Sequence, residues 1–169
     1  MSTIILNTSK EEIIGASLYA PVPREDLYEV LLDAGSFPRW APGVRRVEIV
    51  EGLAGPGMVS EWEVSVLGMR RRISSVLVAA EPPSLLRWSY EGPIRGWGEC
   101  SIREQGNGTL VSFVTGLEPE DPGLAILMRA TPFQNAARAH LKRCLVRLGQ
   151  LVSGHGDAVR VGPPTGEVL

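Results

Sequence analysis

Two histidines, two cysteines, three tyrosines and a run of three arginines are the residues of this 169-residue chain best suited to act on a ligand. His140 falls at the edge of the apolar arc of a helical segment, flanked in projection by Ala136, Cys144 and Arg147. An imidazole with a pKa near ~6.5 could exchange a proton there, but a hydrogen-bonded border histidine is the expected role. His155 lies in a Gly- and Pro-rich tail, away from any pocket. Cys100 and Cys144 could face one space from a strand and a helix, yet an apolar neighbourhood raises a thiol pKa and argues against a Cys–His nucleophile. Glu61 and Glu63 alternate opposite Trp62, and Glu99 shares the outward phase with Arg95 and Trp97. No acid/base carboxylate pair therefore falls inside. Within Arg70-Arg71-Arg72, alternation turns Arg71 to the face opposite its neighbours. The run reads as a solvated edge, the alternative being one guanidinium at a cavity mouth holding a carboxylate or phosphate. No zinc spacing, phosphate loop, Ser-His-Asp arrangement or cofactor fingerprint occurs, so neither metal nor cofactor is expected.

Composition narrows the partners. The net charge of −2 carries no electrostatic invitation to nucleic acid or to an anionic membrane. The apolar run Ile4–Leu6 is too short for a signal peptide, and no window approaches the ~20 apolar residues of a membrane-spanning helix. Two cysteines make no disulfide framework and read as reduced core thiols, so a cytoplasmic location is expected. Nothing in the composition reads on oligomeric state.

The elements that must position these residues follow in a simple order. An extended stretch, Glu12–Tyr19, ends at Ala20-Pro21. A helix opens near Pro23, with Leu27, Val30 and Leu31 on one stripe and Gly35 placed to end it, and a short second helix covers Ser36–Trp40. From Val44 the pattern has period two, with Trp62, Val64 and Val66 on one side of their strand. Turns at Gly52–Gly57, Gly68, Pro82-Pro83, Gly92-Pro93 and Gly106-Asn107-Gly108 separate six consecutive strands, an antiparallel meander. Asp121-Pro122 and Thr131-Pro132 both look like helix starts, which predicts a helix kinked near Pro132 or two abutting helices. Phe133, Ala137, Leu141, Cys144, Leu148 and Leu151 then share one face. The phase of strand Arg70–Glu81 stays open.

A twisted meander of this length buries one face only by curling around something, and the last helix is the only element long enough to fill it. The predicted fold class is α+β, a curved antiparallel sheet of about seven strands wrapped around a long C-terminal helix, with two small helices after strand one. If Cys100 and Ile102 point inward, so do Gly96 and Gly98. Small residues there and at Ala136 or Ala137 leave volume that Trp62, Val64, Trp88, Tyr90 and Phe113 wall from the sheet. Phe133, His140, Leu141 and Cys144 wall it from the helix. Such a void suits a hydrophobic small molecule, the competing expectation being that the aromatics fill the core.

Particular stretches also resemble a known family. Ala20-Pro21 before a helix, Asp33, Phe37-Pro38-Arg39-Trp40-Ala41-Pro42, Glu81-Pro82-Pro83 before Leu86, and Gly106-Asn107-Gly108-Thr109 are similar to motifs of the START-like, polyketide cyclase/dehydrase and lipid-transport superfamily. Its members include ligand-binding plant allergens and coenzyme Q-binding proteins. The resemblance spans Glu11–Leu151 and implies a helix-grip fold with an internal cavity. It implies no single reaction, because the superfamily holds carriers, cyclases and hydrolases. The expected organisation is an arm over 1–10, a ligand-binding domain over 11–152 and a flexible tail over 153–169. The expected function is binding or transport of a lipid, quinone or polyketide-like molecule. The alternative is a polyketide cyclase/dehydratase-like enzyme acting on an aromatic or poly-keto substrate in the same cavity, with His140, Tyr90 and an arginine as its candidates.

Overall fold

The structure, a computed structural model, describes residues 12–66, 68–154 and 160–163. The expected arm 1–10, His155 and most of the expected tail lie outside the described residues. Strand β1 (Glu12–Ala20) stops where Pro21 and Pro23 withdraw ladder donors. Helix α1 (Arg24–Leu32) follows, with Glu25 and Asp26 at the positive end of its dipole, and buries Leu27, Tyr28 and Leu31. Pro23 stands just outside this helix, and the Asp33 amide closes it on Glu29 O, so the helix ends before Gly35. A 3-10 turn (Ala34–Ser36) leads straight into α2 (Phe37–Trp40). Ser36 fastens this corner. Its hydroxyl lies 3.0 and 2.7 Å from the Val30 and Asp33 carbonyl oxygens and accepts from the Trp40 indole N–H at 3.3 Å.

The meander consists of β2 (Val44–Glu51), β3 (Val59–Val66), β4 (Met69–Glu81), β5 (Leu85–Glu91), β6 (Ile94–Gln105) and β7 (Gly108–Pro119). The sheet is antiparallel throughout and open, in the order β2-β3-β4-β5-β6-β7-β1-β8. Its eighth strand corrects the expected count of seven. β8 (Arg160–Gly162) comes from the segment expected as a flexible tail and pairs with β1 from Ser17↔Gly162 to Tyr19↔Arg160. Three residues carry too little alternation to announce a strand; here the free edge of β1 supplies the ladder. β4 contains a bulge, since Leu77 pairs with Trp88 while Ala79 pairs with Arg87. The bulge flips the inward parity from Ile73, Ser75 and Leu77 to Ala80, which is why no single phase fitted this strand. On the edge strand β2, irregular at both ends, Ile49 is exposed although it alternates with Val47.

Helix α3 (Pro122–Arg129) starts on Asp121, whose Oδ1 accepts the Leu124 amide at 2.9 Å. Helix α4 (Thr131–Ser153) abuts it through Ala130, held extended at φ −65° and ψ 135°. Of the two expected forms the chain adopts abutting helices. Thr131 is not the cap; Pro132 lacks an N–H and its ring would strike the carbonyl four residues back, so one continuous helix is barred. α4 packs chiefly against β1 and to a smaller extent against β8, α2 and α3. Leu145 and Leu148 join Ala16, Leu18, Leu27 and Val111 in the buried core, whereas Leu151 is exposed, since the core face of α4 there runs through Leu148 and Val152. Among the described residues no helix is long and apolar enough to cross a membrane.

Candidate functional site

Helix α4 lies over β1 and barely touches the central strands β3–β6, of which β6 is met by α1. The space between is a cavity of about 550 Å³. Cross-strand register arranges its floor in rows, because side chains two apart on a strand share a face. Trp62 stands opposite Ile73; Ser60 opposite Ser75 and Ser75 opposite Tyr90; Leu77 opposite Trp88, followed by Gly98 and Thr115; Leu86 opposite Cys100, followed by Phe113. Phe133, Ala137, His140, Leu141 and Cys144 face them from α4, and Leu124 and Met128 close the end under α3. Two aromatic groups brace the wall. Phe37 packs on Trp40 and Trp62 at ring separations of 4.4 and 4.7 Å, and Trp88 packs on Phe113 and Tyr90 at 5.4 and 6.4 Å.

Every residue expected on the wall lies on it except Gly98, and the part played by the glycines is different from the one expected. A Cβ on Gly98 would fall 2.3–2.5 Å from Trp88 Cε2, Cζ2 and Nε1, so the indole lies directly upon this glycine. A Cβ on Gly96 would strike the Gly116 carbonyl oxygen. The glycines therefore seat a ring and admit a close strand approach; they do not themselves hold the void open. The helix standing off the sheet does that.

The polar groups in the cavity are held neutral. Burial pushes the Tyr90 phenol above its usual range, against the opposing pull of hydrogen bonds with Trp88 and Thr115. Desolvation, helped by the Arg143 guanidinium, pushes the His140 imidazole below 6.5, and a hydrogen bond to the Pro42 carbonyl only partly offsets this. His140 Nε2 lies 3.6 Å from Cys144 Sγ. Gly43, at φ +94°, lets the loop before β2 close on that ring: a Cβ there would stand 3.4 Å from His140 Cε1. Burial raises the Cys144 thiol to about 11 and the Cys100 thiol higher still, so both are protonated and poorly nucleophilic.

The arginine run stays outside. Arg71 shares the inward parity of Val64, but its Nη1 donates to Arg70 O at 2.9 Å, and Arg70 lies 3.8 Å from Glu63. None of the three lines the cavity; Arg143 of α4, exposed, reaches its edge instead. Glu99 faces outward and holds Arg87 at 2.8 Å. Sequence reasoning missed Ser60, Ser65, Ser75, Pro42, Gly43 and Arg143 on the wall. Ser60 was within reach of it, since it shares the parity of Trp62 and Val64.

Residues 15–153 match the model of a family described as polyketide cyclase/dehydrase and lipid transport. No curated protein matches the chain. Among solved structures, a START superfamily protein from Mycobacterium smegmatis aligns with a TM-score of 0.71 at 14% identity, covering 84% of this chain and 97% of its own. A protein from Thermus thermophilus aligns at 0.70 and 22% identity, covering 83% and 97%. The Zhui aromatase/cyclase from a Streptomyces species aligns at 0.68 and 17% identity, covering 84% and 96%. At these identities the likeness is one of fold, the helix-grip arrangement of sheet and terminal helix.

Proposed function

The chain belongs to the polyketide cyclase/dehydrase and lipid transport family, and from that premise we propose that it binds and carries a hydrophobic small molecule, a lipid, quinone or polyketide-like compound, in the cavity. The observation that carries this reading is the hollow itself. About 550 Å³ lies within the range of ligand pockets, roughly 300–1,000 Å³, and natural interiors do not leave such space unpacked without use. Among the described residues no carboxylate or lysine lines it, so an apolar body would meet a matching wall. Native mass spectrometry of the purified protein, followed by solvent extraction, tests the reading. A mass excess released as an apolar molecule is expected. Protein that is empty and also takes up no apolar fluorescent probe would overturn it.

A second reading, cyclase-like catalysis, is favoured by the resemblance to aromatase/cyclase folds together with a protonated phenol and a neutral imidazole in one cavity. Shaping a reactive poly-keto chain and passing one proton would suffice for cyclisation. In that case Tyr90→Phe and His140→Ala abolish turnover of a poly-β-keto thioester while leaving the fold intact. Turnover that survives both substitutions removes these residues from any catalytic role.

A further inference from the structure

Building on that binding role, we propose that the cavity selects ligands oxygenated along one edge, and that the Ser60 and Ser75 hydroxyls, in line with Tyr90, make the selection. The three stand directly opposite one another on β3, β4 and β5. With neighbouring strands ~4.8 Å apart, the strip crosses about 10 Å of floor. Apolar rows border it on either side, Trp62 and Ile73 on one and Leu77 and Trp88 on the other. Ser60 and Ser75 are only 3% and 6% exposed, and a hydroxyl in such a place costs free energy unless it is hydrogen-bonded.

Their bonding is incomplete. The Ser60 oxygen accepts the Trp62 indole N–H at 2.8 Å, which leaves its own proton unspent. Among the described residues no hydrogen bond engages the Ser75 hydroxyl, which faces the cavity. The Tyr90 phenol, by contrast, is engaged: the Thr115 hydroxyl donates to Trp97 O at 2.8 Å, so toward Tyr90 it offers only lone pairs and takes the phenol proton. A floor built for packing alone would carry Val or Ala at 60 and 75, in line with Trp62, Ile73 and Leu77. The unspent Ser60 and Ser75 protons match carbonyl or phenol oxygens carried on one side of a flat molecule. The facing wall of Phe133, Ala137 and Leu141 takes its bare side. A plain hydrocarbon or acyl chain would leave the strip desolvated and unanswered.

Equilibrium dialysis of the full chain against two probes of similar outline tests this. One is anthracene; the other is 1,8-dihydroxyanthrone, whose three oxygens all lie on one edge. The anthrone is expected to bind at least about tenfold more tightly, a factor worth one or two hydrogen bonds. In Ser60→Ala/Ser75→Ala the anthrone-to-anthracene affinity ratio falls roughly tenfold, whereas Tyr90→Phe, which removes a hydroxyl already engaged by Thr115, moves it far less. A ratio near one in the unsubstituted protein, or one unmoved by the two serine substitutions, overturns the assignment. An unsubstituted protein that takes neither probe overturns the carrier reading too, so the two failures are distinguishable.

Discussion

Replacing Gly98 by alanine probes the construction of the cavity wall most directly. The new methyl would sit 2.3 Å from the Trp88 ring, where real carbon contacts do not fall below about 3 Å. Sheet lies beneath the indole and hollow above it, so the ring must rise by about 1 Å into the cavity. Overpacking of this kind costs about 1–3 kcal/mol. Gly98 does not have a positive φ, so alanine is otherwise welcome there and returns about 0.4–1 kcal/mol through the unfolded chain. The expected net loss is about 1–2 kcal/mol, a fall in Tm of roughly 2–8 °C for a chain of this size. Apolar probe binding should weaken with it, since the ring now occupies ligand space. Urea unfolding followed by tryptophan fluorescence measures the first effect, and probe titration the second. The sign should reverse in a Trp88→Ala background, where Gly98→Ala has nothing to strike and becomes neutral or stabilising. A Gly98→Ala protein more stable than its parent, with probe affinity unchanged, would refute the seating of Trp88 on Gly98.

Three further outcomes are expected. Ser36→Ala should cost about 1–3 kcal/mol in urea unfolding, because the buried Trp40 indole N–H loses its acceptor and the α1 end loses its tie. Since His140 titrates below 6.5 when folded, the unfolded chain takes up that proton first as pH falls through 6.5. Stability should therefore decline toward pH 5, and His140→Gln should flatten this part of the pH profile measured by denaturation. Both thiols should resist an aromatic disulfide reagent at pH 8 and react fast only after denaturation, with a bound apolar probe slowing Cys144 further; rapid reaction of folded protein would contradict the raised thiol pKa values.

The element order was legible because it rests on local signals: prolines that end β1, period-two alternation from Val44 onward, turn glycines, and Asp121-Pro122 opening α3. The face of each regular strand followed from the same alternation, so Trp62, Trp88, Tyr90, Cys100 and Phe113 could be placed inward without coordinates. Alternation fails where the backbone departs from it. The bulge after Leu77 reverses the parity of β4, and three residues of β8 have no pattern until β1 offers an edge.

The sequence by itself determined a meander followed by a long amphipathic helix, because hydrophobic periodicity and chain-breaking residues act over a few positions and need no distant partner. Only the tertiary structure decided that α4 settles on β1 and not on the middle of the sheet, which makes the interior hollow. It also decided that Ser60, Ser75 and Tyr90 fall into one transverse line, since register between strands is set by pairing across the sheet and is written in no single segment.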